Sequence, residues 1–215
     1  MSRRKTRGYY DIDFDVDFDS LSTVGMLDEI FFLKDLQQRK LFLSVDIEDV
    51  TIRHVVKHIM QFNAEDRGIA IKDRKPILLY ISSRGGDIDA GFELVDVIQN
   101  SKTPVYTVNL GYQYSMGFLI GLAGHKRFAT TNAKYLMHDG TQFIYNSGMK
   151  AQDQMDFQRY TEERIKSYVV AHSKISPEEY DSKLRYEWYL YADEAKEKGF
   201  TDMIIGVDCD IDMIV

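Results

Sequence analysis

Apolar residues recur along this chain with two different periods, and the changes of period mark out its elements. From Asp49 to Phe62 the positions Val50, Ile52, Val55, Val56, Ile59 and Met60 form a stripe at helical spacing. Ile77-Leu78-Leu79-Tyr80-Ile81 is instead a short unbroken apolar run that ends in the polar Ser82-Ser83-Arg84-Gly85-Gly86-Asp87. That pattern predicts a buried strand closed by a tight glycine turn. Upstream, Leu27 to Leu36 has helical spacing, Lys40 to Val45 reads as a short strand, and the charged stretch from Ala64 to Lys75 reads as a surface loop. Downstream, the pattern predicts helix 88–99, strand 104–110, helix 115–123, strand 127–138 and a loop over 139–148. Met149 to Ser173 predicts a helix too long and too charged to be wholly core. Its Met155, Tyr160, Ile165, Tyr168 and Val169 leave a face for another subunit. A helix begins at Pro177, and a last one over Ala192–Lys198 is stopped by Gly199. Strands alternating with helices at this spacing imply an α/β fold on a largely parallel sheet.

The two ends carry a period of two. Residues 11–19 set Ile12, Phe14, Val16 and Phe18 on one face of an extended strand and five aspartates on the other. Five like charges on one face repel, so residues 1–27 read as an acidic, flexible arm with an adhesive apolar edge. A divalent cation on the carboxylates is the competing reading, although nothing in the sequence closes its coordination shell. Val207 to Asp212 repeats the alternation and reads as a solvated edge strand. The expected organisation is this arm followed by one domain over 28–215, the long helix included.

Charge and composition narrow the classes of function. The net charge of −7 argues against nucleic acid as a partner, because binding phosphates takes a basic face. The single cysteine, Cys209, cannot form an internal disulfide. No apolar run approaches the roughly 18 residues of a membrane span, and the basic Arg3, Arg4, Lys5 and Arg7 precede aspartates rather than an apolar segment. These features together predict a soluble, cytoplasmic protein.

Three segments carry chemistry. The first is the Ser83-Arg84-Gly85-Gly86 turn, which is either a plain tight turn or backbone free to aim amides at a developing oxyanion. The second is Ser115, in Gly111-Tyr112-Gln113-Tyr114-Ser115-Met116-Gly117, which follows a strand and opens an apolar helix. It is either a helix cap or an exposed nucleophile supported by the helix N-terminus. Gln113 distinguishes the segment from the Gly-x-Ser-x-Gly elbow. The third is His138, in Leu136-Met137-His138-Asp139-Gly140, either a strand-end histidine or a general base. His54 and His58 share a helix face at i, i+4, but no third metal ligand lies within reach in the sequence.

Taken together and in this order, the motifs resemble the proteolytic subunit of the Clp protease family. Ser-x-Gly-Gly, Gly-x-x-x-Ser-Met-Gly and Met-His are followed by Ala192-Asp193-Glu194-Ala195, Gly199 and Asp202, and the likeness spans roughly residues 28 to 206. The resemblance implies a Clp/crotonase-like fold of repeated β-β-α units, with helix 149–173 as a protruding handle. It also implies a serine endopeptidase that needs no cofactor or metal. Such a subunit would form a homo-oligomer of stacked heptameric rings, cleave polypeptides inside the chamber and work with an AAA+ unfoldase ATPase. Carried over residue by residue, Ser115 is the nucleophile, His138 the base, and the Gly86 and Met116 amides the oxyanion hole. Gly85, Asp87 and Ile88 on one side and Thr141, Gln142 and Phe143 on the other would clasp a substrate strand. The third triad position is Glu187, where the family has Asp; Asp139 and Asp181 are the rival carboxylates. Arg84 replaces the proline of the glycine turn, Asp139-Gly140 replaces Gln-Pro, and Arg185-Tyr186 replaces the acidic-Arg pair that links rings. Two further readings stay open: a catalytically weak ring subunit with a structural or regulatory role, and a crotonase-like acyl-CoA enzyme.

Overall fold

The computed structural model describes residues 23–140 and 144–215. The chain divides into two compact units, residues 1–40 and 41–215. The described part of the first, residues 23–40, is mostly helix α1 (Thr23–Gln37), which exposes Leu27, Ile30 and Phe31. The alternating acidic segment 11–19 lies outside the described residues.

The second unit is built on a sheet whose main path runs β1 (Lys40–Leu43), β2 (Ile77–Ser83), β3 (Val105–Tyr114), β4 (Lys126–Thr130) and β7 (Met203–Ile205). Every residue of β2 from Ile77 to Ile81 is buried, as a parallel strand covered on both faces requires. Helix α2 (Asp49–Glu65) buries Ile52, Val55, Val56, Ile59 and Phe62, and α3 (Ile88–Asn100) buries Leu94, Val95 and Ile98. Helix α4 (Met116–Leu122) is buried on all sides, so it carries no polar stripe.

Three details depart from the sequence pattern. The expected strand 127–138 is two strands, β4 and β5 (Lys134–Met137), separated by a turn in which the Ala133 N–H meets the Thr130 carbonyl. The division follows from β3, which runs four residues beyond its expected end and changes partner along its length. Its first half pairs with β4 (Tyr106↔Lys126) and its second with β5 (Tyr112↔Lys134). Buried Asn109 stands at the changeover, donating to the Lys134 carbonyl and accepting from the Gly111 N–H. Second, the 64–75 loop begins with the last turn of α2 and includes a short 3₁₀ turn at Ile71–Asp73. Third, the C-terminal tail is not an edge strand. Asp208 accepts the Ile204 N–H and pairs with Lys196, which turns the chain at Gly206 (φ 85°) into a 3₁₀ turn, Ile211–Ile214. Ile214 is thereby buried against Leu78, Tyr80, Val108, Phe128 and Ile205.

Beyond β5 the chain forms α5 (Gly148–Ala171), α6 (Pro177–Leu184), β6 (Trp188–Tyr191) and α7 (Ala192–Glu197), with Gly199 at φ 75° just after the last helix. At 24 residues, α5 is about 36 Å long. Val169 is its one buried residue, while Phe157 and Tyr160 are both 71% exposed. Strand β6 is antiparallel to β5, with Met137 opposite Trp188. Continuing that register by one residue sets His138 opposite Glu187.

Candidate active site

Ser115 joins β3 to α4 with φ 53° and ψ −123°, a conformation that costs a residue bearing a Cβ about 1–3 kcal/mol. Tertiary structure holds it there. Its N–H donates to the Leu136 carbonyl (2.9 Å), and its own carbonyl accepts from Phe118 and Leu119. The hydroxyl makes no capping hydrogen bond, so the side chain is not spent on the helix. It lines a cleft instead.

The glycine turn is pressed against this serine. Ser83 Oγ donates to the Val45 carbonyl (2.6 Å) and accepts the Gly85 N–H (3.1 Å), fixing the start of the turn. Gly85 has φ 105°, and a Cβ there would lie 2.7 Å from Ser115 Cβ and 3.0 Å from the Met116 nitrogen. Gly86 has φ 146°, and its Cβ would lie 2.3 Å from the Ile47 oxygen. Only glycine fits either position. Ile47, which no sequence motif singled out, forms a parallel bridge with this turn. Its N–H donates to the Gly85 carbonyl and its carbonyl accepts the Asp87 N–H, both at 2.8 Å. The bridge takes the Asp87 N–H and Ser83 Oγ the Gly85 N–H, which leaves the Gly86 N–H without an acceptor among the described residues. Met116, first residue of α4, likewise has no intrahelical acceptor for its N–H. Gly86 lines the same cleft as Ser115, and unpaired amides at a reacting hydroxyl can hold an oxyanion. Asp87 itself is committed to the fold: its carboxylate caps α3 through the Ala90 N–H (2.8 Å), and its carbonyl accepts the Gly91 N–H (3.1 Å).

His138 lines the same cleft as Ser115, and its Nδ1 lies 3.9 Å from Glu187 Oε1. This is ion-pair rather than hydrogen-bond distance, and Glu187 is 60% exposed. The second carboxylate oxygen, Oε2, accepts from the Tyr189 hydroxyl at 2.7 Å. Among the described residues no hydrogen bond joins Ser115 to His138. The rival carboxylates stand elsewhere: Asp181 pairs with Lys166 (2.7 Å), and the Asp139 side chain is exposed while its N–H donates to the Leu184 carbonyl.

The cleft has a volume of about 750 Å³ and runs from Arg84 and Gly86–Asp89 past Ser115 and His138 to Gly140, Ile144 and the α5 residues Asp153, Gln154 and Phe157. A side pocket of about 50 Å³ opens beside Ser115, walled by Ile88, Phe118, Leu119, Met137, Ile165 and Tyr180. Thr141, Gln142 and Phe143 lie outside the described residues.

Among the described residues there is no cluster of three or more His, Cys, Asp or Glu side chains able to hold a metal. The pKa of His58 is lowered by burial and then by neighbouring His54. Burial, then Asp208 and Asp210, push the Cys209 thiol up, away from the thiolate form. Among the described residues no helix is long and apolar enough to cross a membrane.

A strained serine between strand and helix, two unoccupied amides and a histidine backed by a carboxylate are the parts of an acyl-transfer site of the serine-hydrolase class. Sequence comparison narrows the class, since the profile of the Clp protease family matches residues 28–208, and the chain belongs to that family. It is 28% identical over 186 residues to ATP-dependent Clp protease proteolytic subunit 2 of Treponema pallidum, covering 86% of this chain and 90% of the relative. Against ATP-dependent Clp protease proteolytic subunit 1 of Streptomyces avermitilis the identity is 30%, covering 79% and 76%. Proteolytic subunit 3 of Streptomyces coelicolor is 29% identical, covering 82% and 79%. Family membership sets aside the crotonase-like reading.

Proposed function

We propose that this protein is a serine endopeptidase, the proteolytic subunit of an ATP-dependent protease, with Ser115, His138 and Glu187 as its triad. The observation that carries the reading is Ser115 itself: a strained backbone leaves its hydroxyl out of the helix cap, at the start of the helix that Met116 opens and in the cleft that Gly86 also lines. In acylation, His138 takes the Ser115 proton as Oγ attacks the scissile carbonyl. The carbonyl oxygen, now negative, is held by the two amides, and His138 returns the proton to the leaving amine. Water, deprotonated by the same histidine, then releases the acyl group. Glu187 stabilises the imidazolium and holds the proton on Nδ1 between the two transfers.

Substrate binding follows from the walls of the cleft. On the glycine-turn side a peptide would pair backbone to backbone only before Asp87, which is bonded to Ile47 and Gly91, since Ile88 already opens α3; such pairing reads little side-chain sequence. Residues 141–143 would form the opposite side of the clasp. The side pocket suits a small apolar residue next to the scissile bond. Asp89 and Asp153 outnumber Arg84 in the cleft, which favours peptides with basic residues on either side. The exposed aromatic face of α5 supports assembly into a homo-oligomer of stacked rings, served by an AAA+ ATPase that feeds unfolded chains.

One observation favours a second reading, that of a weak or silent ring subunit: the Ser115–His138–Glu187 relay is not closed in this conformation. Hydrolysis of fluorogenic peptides with internal cleavage sites, measured alongside light scattering, separates the two readings. Turnover by a large closed oligomer supports the peptidase. An oligomer of full size with no turnover supports the silent subunit, and a stable monomer at micromolar concentration contradicts both.

A further inference from the structure

We propose that Tyr189 is a positioning residue for this reaction: its hydroxyl holds one oxygen of Glu187 so that the other stays turned to His138. The inference rests on the triad assignment above and adds a fourth member to it. The two oxygens of the Glu187 carboxylate have separate partners, Oε2 the Tyr189 hydroxyl at 2.7 Å and Oε1 the His138 Nδ1 at 3.9 Å.

A glutamate at this place needs such a restraint. It carries one more rotatable bond than aspartate and is more than half exposed, so on its own it would exchange among rotamers in water. Tyr189 is itself well fixed. It lies on β6, opposite Leu136 of β5, and its ring packs edge-to-face on Tyr114 (centroids 5.8 Å apart), the residue before Ser115. The groups facing its hydroxyl are Glu187 on the same segment, Tyr114 on β3 and Arg84 on the glycine turn. The hydrogen bond to Glu187, followed by burial, raises the phenol pKa, so the group remains a donor across the neutral range. A longer acid has thus been fitted with a donor that aims it.

The test is a double-mutant cycle on the full chain, read by steady-state hydrolysis of a fluorogenic peptide. Tyr189→Phe keeps the ring on Tyr114 and removes only the hydroxyl. It should lower kcat by about three- to tenfold with KM unchanged. In a Glu187→Gln background the same substitution should change kcat by less than about 1.5-fold, because the carboxylate it aims is gone. Equal losses in both backgrounds would mean a general structural role and overturn the proposal. If Glu187→Gln is severe while Tyr189→Phe matches the parent, the triad stands and the role of Tyr189 falls. If Glu187→Gln has no effect, the triad assignment fails and this inference fails with it.

Discussion

The nucleophile side of the cleft and the base side are built by different means. Around Ser115 almost everything is backbone: the Ile47–Gly86 bridge, the Leu136 carbonyl under the serine amide, and two glycines where any Cβ would collide. Around His138 the determinants are side chains, and they reach into solvent: Glu187 at 60% exposure and Tyr189 at 53%. A backbone site is fixed by the fold and tolerates almost no change of residue. A side-chain site can exchange one acid for a longer one and recover geometry with a neighbour.

The largest effect expected breaks the backbone side at its centre. Ser115→Ala should lower peptide turnover by about 10³-fold or more, leaving only the oxyanion and binding contributions, with an unchanged thermal transition. Glu187→Gln should leave the fold intact and reduce kcat by about 10²–10⁴-fold, through loss of the counter-charge and of the correct tautomer. Gly86→Ala should cost about 10²–10³-fold in kcat, because the new Cβ displaces the turn from Ile47 and moves an oxyanion donor. Unlike the first two, it should also lower the melting temperature. Glu187→Asp sharpens the comparison. If Tyr189 has adapted the site to glutamate, the shorter acid should lose activity by a few-fold, and a gain would show that glutamate fits poorly. Smallest of all, Asp139→Asn and Asp181→Asn should each stay within about twofold of the parent, since the first side chain is exposed and the second is bound to Lys166. A collapse of activity in Asp139→Asn would move the triad acid to that residue.

What could be read from the sequence divides along the same line. The strand, glycine turn and serine-opened helix were legible because each is a local pattern of apolar run, breaker and apolar run. Glu187 was legible only by resemblance, because its place beside His138 depends on the antiparallel register of β6 on β5, and the short strand Trp188–Tyr191 has no period of its own. Ile47 and Tyr189 were missed. The first contributes through its backbone alone, and the second through a hydroxyl that looks like one more aromatic in a tyrosine-rich segment. The break at Thr131–Ala133 was hidden because β3 changes partner there, a tertiary event with no local signal. The tail misled for a related reason: Asp208 had a lysine and an amide to satisfy, and those bonds overrode the alternating pattern.

The central claim is that Ser115 is an activated nucleophile held beside an oxyanion hole. Reaction with a fluorophosphonate, followed by intact-protein and peptide mass spectrometry, tests it most directly. The account predicts a single adduct on Ser115, absent in Ser115→Ala and formed much more slowly in Glu187→Gln. An unlabelled parent protein, or an adduct on another residue that persists in Ser115→Ala, would contradict it.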